Sequence, residues 1–272
     1  PVEISFPDLE PGLVVASQIL GVQVFFVQLS RSFGALEFSE ENGDTVSNEF
    51  LEHILADSAR VTVAYRDGVD TLFNIGGGFY LTLNTPLYEG ENYMLSVYDS
   101  ATGLEAFAES EVLPEVGWDS IAYEFIGNDF TFNDTVFTDT ALRIGVSWTD
   151  LLGENYYMIN AYRISLSGDN EPEDIFFQQS GPPTFTYSDQ LYTDPRIRDT
   201  LTYTQFEPGD TIAVALSHIS QGYYEFLTTR ERSSASLFTS LLAEPVNYPT
   251  NVVPGYGFFN LHLPSVQIFI LQ

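Results

Sequence analysis

An all-β chain of two successive sandwich domains is what the sequence predicts, and three observations carry that prediction. Short apolar alternations recur between turn signals at roughly every 8–12 residues, the spacing of sandwich strands. Aromatic residues make up 15% of the chain, with 22 Phe and 16 Tyr, and these suit a pleated, half-buried surface better than a helix. Hydrophobic residues reach 44% over 272 residues, enough for two packed cores of ordinary size.

Taken in order, residues 1–12 mix polar and apolar positions and read as a tether. The longest apolar stretch, 12–29, is broken by Ser17, Gln18, Gly21, Gln23 and Gln28. A membrane helix needs about 20 mostly apolar residues, so two strands turning near Gly21 explain the stretch better. Strands are expected at 61–65, ended by Asp67-Gly68, and at 71–75, ended by Gly76-Gly77-Gly78. Further strands follow at 79–83, 93–98 and 104–112, and the set over 13–115 reads as an immunoglobulin-like sandwich. Leu113-Pro114-Glu115-Val116-Gly117 marks a boundary, and 116–272 forms the second sandwich. Its strands are expected at 121–125, 141–148, 156–166, 201–206 and 211–216, with a polar insertion at 167–183. One helix is expected after Ser220, which can cap it, with Ile219, Tyr223, Phe226 or Leu227, and Arg230 at helical spacing. A second helical turn is expected at 236–242. The terminal stretch from Leu261 to Leu271 is β-prone.

Charge narrows the partners. Against 38 Asp and Glu stand 9 basic residues, a formal charge of -29. Such a surface repels phosphate backbones and anionic lipid, so nucleic acid is no partner and any membrane contact is expected only through a lipid anchor. All basic residues are Arg. Genomic base composition and adaptation to a saline habitat both account for the missing lysine; flat stability from low to molar salt would remove the second. Cysteine is absent, which excludes thiol nucleophiles, Cys-ligated zinc and disulfide stapling.

Enzyme signatures are sparse. Without Lys there is no Walker A loop, Schiff base or Ser-Lys dyad, and no G-x-S-x-G elbow occurs. His53, His218 and His262 lie far apart in the chain. A carboxylate-pair hydrolase survives only as a remainder, because sequence does not show the separation of two acids. The best candidate for a cation is the acidic run with Asp169, Asn170, Glu171, Glu173 and Asp174, whose hard oxygens suit calcium. It lacks the order of an EF-hand loop, which favours a solvated acidic loop. Tyr156, Tyr157, Tyr162, Tyr223, Tyr224, Tyr248 and Tyr256 could stack on sugars or peptides, although at strand spacing most aromatics are core.

Several segments together resemble a family of Bacteroidota outer-membrane surface lipoproteins known only as a domain of unknown function. They are "PDLEPGLVVASQI", "ARVTVAYRDG", "GGGFYLTL", "YEGENYMLSVYDSATG", "AESEVLPEV" and "FEPGDTIAVALSHISQGYYEFLTTR". The terminal "AEPVNYPTNVVPGYGFFN" is similar to the family's last motif at Glu244, Pro245, Asn251, Gly255, Gly257 and Phe258. Where the family shows Phe-Gly-Ala after the last glycine pair, this chain has Phe258-Phe259-Asn260. The resemblance implies a lipidated cysteine upstream of Pro1, a place on the cell surface, and a gene often beside a TonB-dependent receptor. It implies no catalytic residues, and no cofactor is expected apart from the calcium considered above. The expected function is therefore a non-catalytic accessory binding lipoprotein working with a TonB-dependent transporter. The alternative is a subunit of an extracellular fibre or surface layer that self-assembles through the strand from Leu261 to Leu271.

Overall fold

The protein is described from a computed structural model over residues 11–20, 24–32, 53–132, 135–164, 184–234 and 247–272. It is all-β, as expected, and divides into two compact units. Unit 1 joins Pro1–Val112 to Thr229–Leu261, and unit 2 joins Leu113–Thr228 to His262–Gln272. The expected boundary near Leu113 is where the units change over, but the expected contiguous second domain at 116–272 is corrected: 229–261 belongs to unit 1. Long-range strand pairing decides this, and local periodicity carries no record of it.

Unit 1 has two five-stranded sheets. One runs β16-β1-β2-β6-β5 and contains β1 (Leu13–Leu20), β2 (Val24–Arg31), β5 (Phe73–Gly76), β6 (Phe79–Thr82) and β16 (Tyr256–Phe258). The other runs β15-β8-β7-β3-β4 and contains β3 (Ala59–Tyr65), β4 (Gly68–Thr71), β7 (Asn92–Asp99), β8 (Glu105–Glu111) and β15 (Val252–Val253). Strict alternation places Tyr93, Leu95 and Val97 of β7 and Ala106 and Ala108 of β8 inside. The stretch 71–75, expected as one strand, is divided between sheets: β4 pairs with β3 and β5 with β6. Buried Leu72 makes the crossing, its N–H donating to Val61 O. An apolar run does not say where it changes sheets.

The residues similar to the family's last motif turn out to close this unit. β15 pairs with β8, and two residues on β16 pairs in parallel with β1, so 252–258 joins both sheets. Asn251 locks the segment: its Nδ2 donates to Glu109 O and Phe259 O, both at 2.7 Å, and its Oδ1 accepts the Phe259 N–H at 2.9 Å. Phe259 is then buried edge-to-face against Phe25 at 5.9 Å. Gly257 sits at φ +88°, and an added Cβ would fall 2.0 Å from Val15 O. No side chain fits between those two strands. Gly257→Ala is therefore expected to part β16 from β1 and destabilise unit 1 by more than about 2 kcal/mol in denaturant titration. Glu244 and Pro245 lie outside the described residues.

One buried charge braces unit 1. Asp99, fully buried at the end of β7, accepts from Arg31 Nε at 2.7 Å, Ser58 Oγ at 2.8 Å, Thr102 Oγ1 at 2.7 Å and the Ala101 N–H at 3.2 Å. Arg31 Nη1 also donates to the carbonyls of His53 and Leu55. Burial raises the Asp99 pKa, but the guanidinium, hydroxyls and amide outweigh it and hold the carboxyl at about 2.

Unit 2 packs a three-stranded sheet, β13-β10-β9, with a four-stranded sheet, β12-β11-β14-β17. The strands are β9 (Trp118–Phe132), β10 (Thr135–Thr149), β11 (Tyr156–Arg163), β12 (Phe185–Ser188), β13 (Arg196–Tyr203), β14 (Thr211–Ile219) and β17 (Pro264–Ile270). Leu142, Ile144, Val146 and Trp148 of β10 meet Tyr157, Ile159, Val214 and Leu216 in one core. Trp148 stands edge-on to Trp118, Tyr157 and Tyr187 at 5.1–6.4 Å. The expected helix is α1 (Gln221–Ser234), and the Ser220 hydroxyl accepts the Tyr223 N–H at 3.3 Å. Leu227, not Phe226, is its buried residue beside Tyr223, and Arg230 is exposed. The expected turn at 236–242 and the insertion at 167–183 lie outside the described residues.

Candidate functional site

The outer face of β13-β10-β9 follows from alternation. In β13, Ile197, Leu201 and Tyr203 point into the core, which turns Arg196, Arg198, Thr200 and Thr202 outward. In β10, Leu142, Ile144, Val146 and Trp148 point in, so Arg143, Gly145, Ser147 and Thr149 point out. Register lines these up across the sheet: Gly145 lies between Ala122 and Thr200, Arg143 between Glu124 and Thr202, and Ser147 between Ser120 and Arg198. The ladder of β9 shifts between Ser147 and Trp148. Beside that irregularity the Asp119 carboxylate accepts from Arg196 Nε and Thr149 Oγ1, both at 2.9 Å.

The result is an open groove of about 620 Å³ lined by Ala122, Tyr123, Glu124, Arg143, Gly145, Thr200 and Thr202. Its floor is nearly bare at Gly145, and Arg143 meets Glu124 at 3.4 Å on one wall. Tyr123 is committed to the fold: its ring packs on Phe269 at 5.4 Å and its hydroxyl donates to Ile270 O. The groove therefore offers the hydroxyls of Thr200 and Thr202 and the paired Arg143 guanidinium and Glu124 carboxylate, with Arg198 outside its lining two residues along β13 from Thr200, which is equipment for hydrogen bonding.

The residues singled out from sequence fall elsewhere. Asp169, Asn170, Glu171, Glu173 and Asp174 lie outside the described residues. Among the described residues, no three His, Asp or Glu side chains gather as a metal site. Asn251, Gly255, Gly257 and Phe258 serve the closure of unit 1. His53 is exposed, whereas His218 and His262 are buried. Burial pushes the His218 pKa down and the His262 pKa to about 4, so both are neutral at neutral pH. The His218 ring lies 5.4 Å from that of Tyr157, with Nδ1 3.3 Å from Pro114 O.

Of the tyrosines, Tyr156, Tyr157 and Tyr223 are core, Tyr162, Tyr224 and Tyr256 are half-buried, and Tyr248 is exposed. Burial and donation to Asp150 at 2.5 Å push the Tyr157 phenol up. Donation to Glu154, with burial, pushes Tyr156 up to about 12. A phenol held protonated by the carboxylate that it bonds is an anchor rather than a base. The groove residues were missed because each reads as an ordinary strand position. The one available signal was Gly145, a glycine inside an apolar-alternating strand.

The model of a family described as Domain of unknown function (DUF4249) matches residues 1–265. No curated protein matches the chain. Among solved structures, a two fibronectin type-III domain segment from chicken tenascin aligns at 13% identity, covering 76% of this chain and 90% of that one, with a TM-score of 0.21. A cytokine receptor complex aligns at 12% identity, covering 77% and 86%, with a TM-score of 0.23.

Proposed function

We propose, from the premise that the chain belongs to the family described as Domain of unknown function (DUF4249), that it is a non-catalytic binding protein of the bacterial cell surface. In this reading it is lipid-anchored in the outer membrane and assists a TonB-dependent transporter. The observation that supports binding is the open face of β13-β10-β9, where Thr200, Thr202 and the Arg143–Glu124 pair line a groove whose floor is nearly bare. Three of the nine basic residues, Arg143, Arg196 and Arg198, stand on that one face of a chain carrying -29. Lipid anchorage and the transporter partner rest on the segments quoted above and on the acidic, solvated surface.

Affinity purification of the lipidated protein from native membranes is the test. A β-barrel transporter is expected to co-purify in stoichiometric amount. Recovery of the lipidated chain alone, from membranes solubilised gently enough to keep other barrel complexes intact, removes the transporter from the proposal.

A further inference from the structure

We infer that the groove on β13-β10-β9 is a subsite for an acidic saccharide, with Thr200 and Thr202 in its lining receiving hydroxyls and Arg198, outside the lining at the next outward position of β13, receiving the carboxylate. This rests on the binding reading above and gives it a ligand class. The first support is Gly145. Glycine in the interior of a strand weakens it and is retained where the backbone needs an unusual conformation or where another molecule approaches closely. The first reason is absent here. Gly145 is not at positive φ, and a Cβ added to it would meet only Ala122 O, at 4.0 Å. The fold accepts a side chain at this position, and the groove does not.

Charge supplies the second support. Among its described side chains the face carries three guanidiniums against two carboxylates. Arg143 is held by Glu124 and Arg196 by Asp119, whereas Arg198 is exposed and forms no ion pair among the described residues. An uncommitted guanidinium fork beside a shallow groove matches a carboxylate in geometry as well as sign.

The third support separates a sugar from a peptide. An extended peptide binds where backbone N–H and C=O groups are free, at a sheet edge. The floor of this groove belongs to β10, the middle strand, whose backbone is paired on both sides. What the face offers instead is side-chain hydroxyl. Thr200 and Thr202 are exposed with no partner for their hydroxyls among the described residues, and beside Arg198 the exposed Ser120 is bonded at 2.8 Å to Ser147, which is buried. Hydroxyls that both donate and accept suit a ligand made of hydroxyls.

Calorimetry on the purified full chain tests this without any transporter, so its failure leaves transporter association standing and the converse also holds. The probes are tri-galacturonate, its neutral methyl ester and hexaglutamate. Tri-galacturonate is expected to bind, at least about tenfold tighter than either of the others. Arg198→Gln is expected to weaken it about tenfold and to reduce its salt dependence. Gly145→Val is expected to abolish binding while raising the melting temperature, an outcome that a purely structural glycine does not give. No heat with tri-galacturonate, equal affinity for the ester, stronger binding of hexaglutamate, or unchanged binding by a folded Gly145→Val variant each overturns the inference. Should Gly145→Val fold poorly, Gly145→Ala with Thr200→Val carries the same test.

Discussion

Deleting Ser265 to Gln272 is expected to unfold unit 2. β17 pairs with β14 from Pro264 to Ile270, and the backbone of Leu271 continues the ladder to Gly209 and Asp210. Leu271 is 1% exposed and lies in the same core as Trp148, so its loss alone costs about 2–5 kcal/mol. The deletion also strips one side of β14, whose Ile212, Val214 and Leu216 are fully buried. Two further ties go with it, Trp118 Nε1 to Ser265 O at 3.0 Å and the Tyr123 hydroxyl to Ile270 O. Together these exceed about 5 kcal/mol, the low end of the whole stability of a domain. Both tryptophans, Trp118 and Trp148, belong to unit 2, so their emission reports this unit directly. A red-shifted spectrum and lost near-UV dichroism are expected. A truncated chain that keeps its native tryptophan spectrum but no longer assembles would instead favour the fibre subunit, whose joining strand runs from Leu261 to Leu271.

Asp99→Ala is expected to cost about 3–5 kcal/mol, because it leaves the Arg31 guanidinium, with only 14% of its side chain exposed, without its counter-charge. The same group gives unit 1 an acid limit. Its folded pKa of about 2 lies below the ordinary 3.8, so the stabilisation is present above pH 3.8 and is lost as pH falls towards 2, about 2 kcal/mol in all. Unit 2 meets acid earlier. His262 is neutral when folded, with a pKa of about 4 against 6.5, so the unfolded chain takes up the proton first and stability drops as pH falls from 6.5 towards 4, by about 3 kcal/mol. His218, also pushed down, adds to that loss. Tryptophan emission is therefore expected to change at a higher pH than the unfolding of unit 1, and His262→Gln is expected to move that change to lower pH. Coincident transitions in the wild type would contradict this assignment.

Much of the fold was legible because it is written locally. Alternation such as "NYMLSVYD" put Tyr93, Leu95 and Val97 on one face, and β7 buries those residues. The Ser220 cap was readable because a hydroxyl three residues before a free amide is a short-range arrangement. The division of 71–75 between two sheets was not legible, since Thr71 and Phe73 differ in pairing partner and not in pattern. Nor was the return of 229–261 to unit 1, which depends on Val14 meeting Tyr256 across the length of the chain. The groove was hidden for a related reason: Ala122, Gly145 and Thr200 become neighbours only when three strands take their register.

By itself the sequence determined the all-β class, many of the strands, the acidic lysine-free surface and the capped helix. Each follows from side-chain type at short spacing along one chain. Tertiary structure alone decided which segments share a unit, why Gly257 admits no side chain while Gly145 would accept one, and which three arginines share one sheet face. Those are questions of distance between residues remote in sequence, and distance is set by packing, which periodicity does not encode.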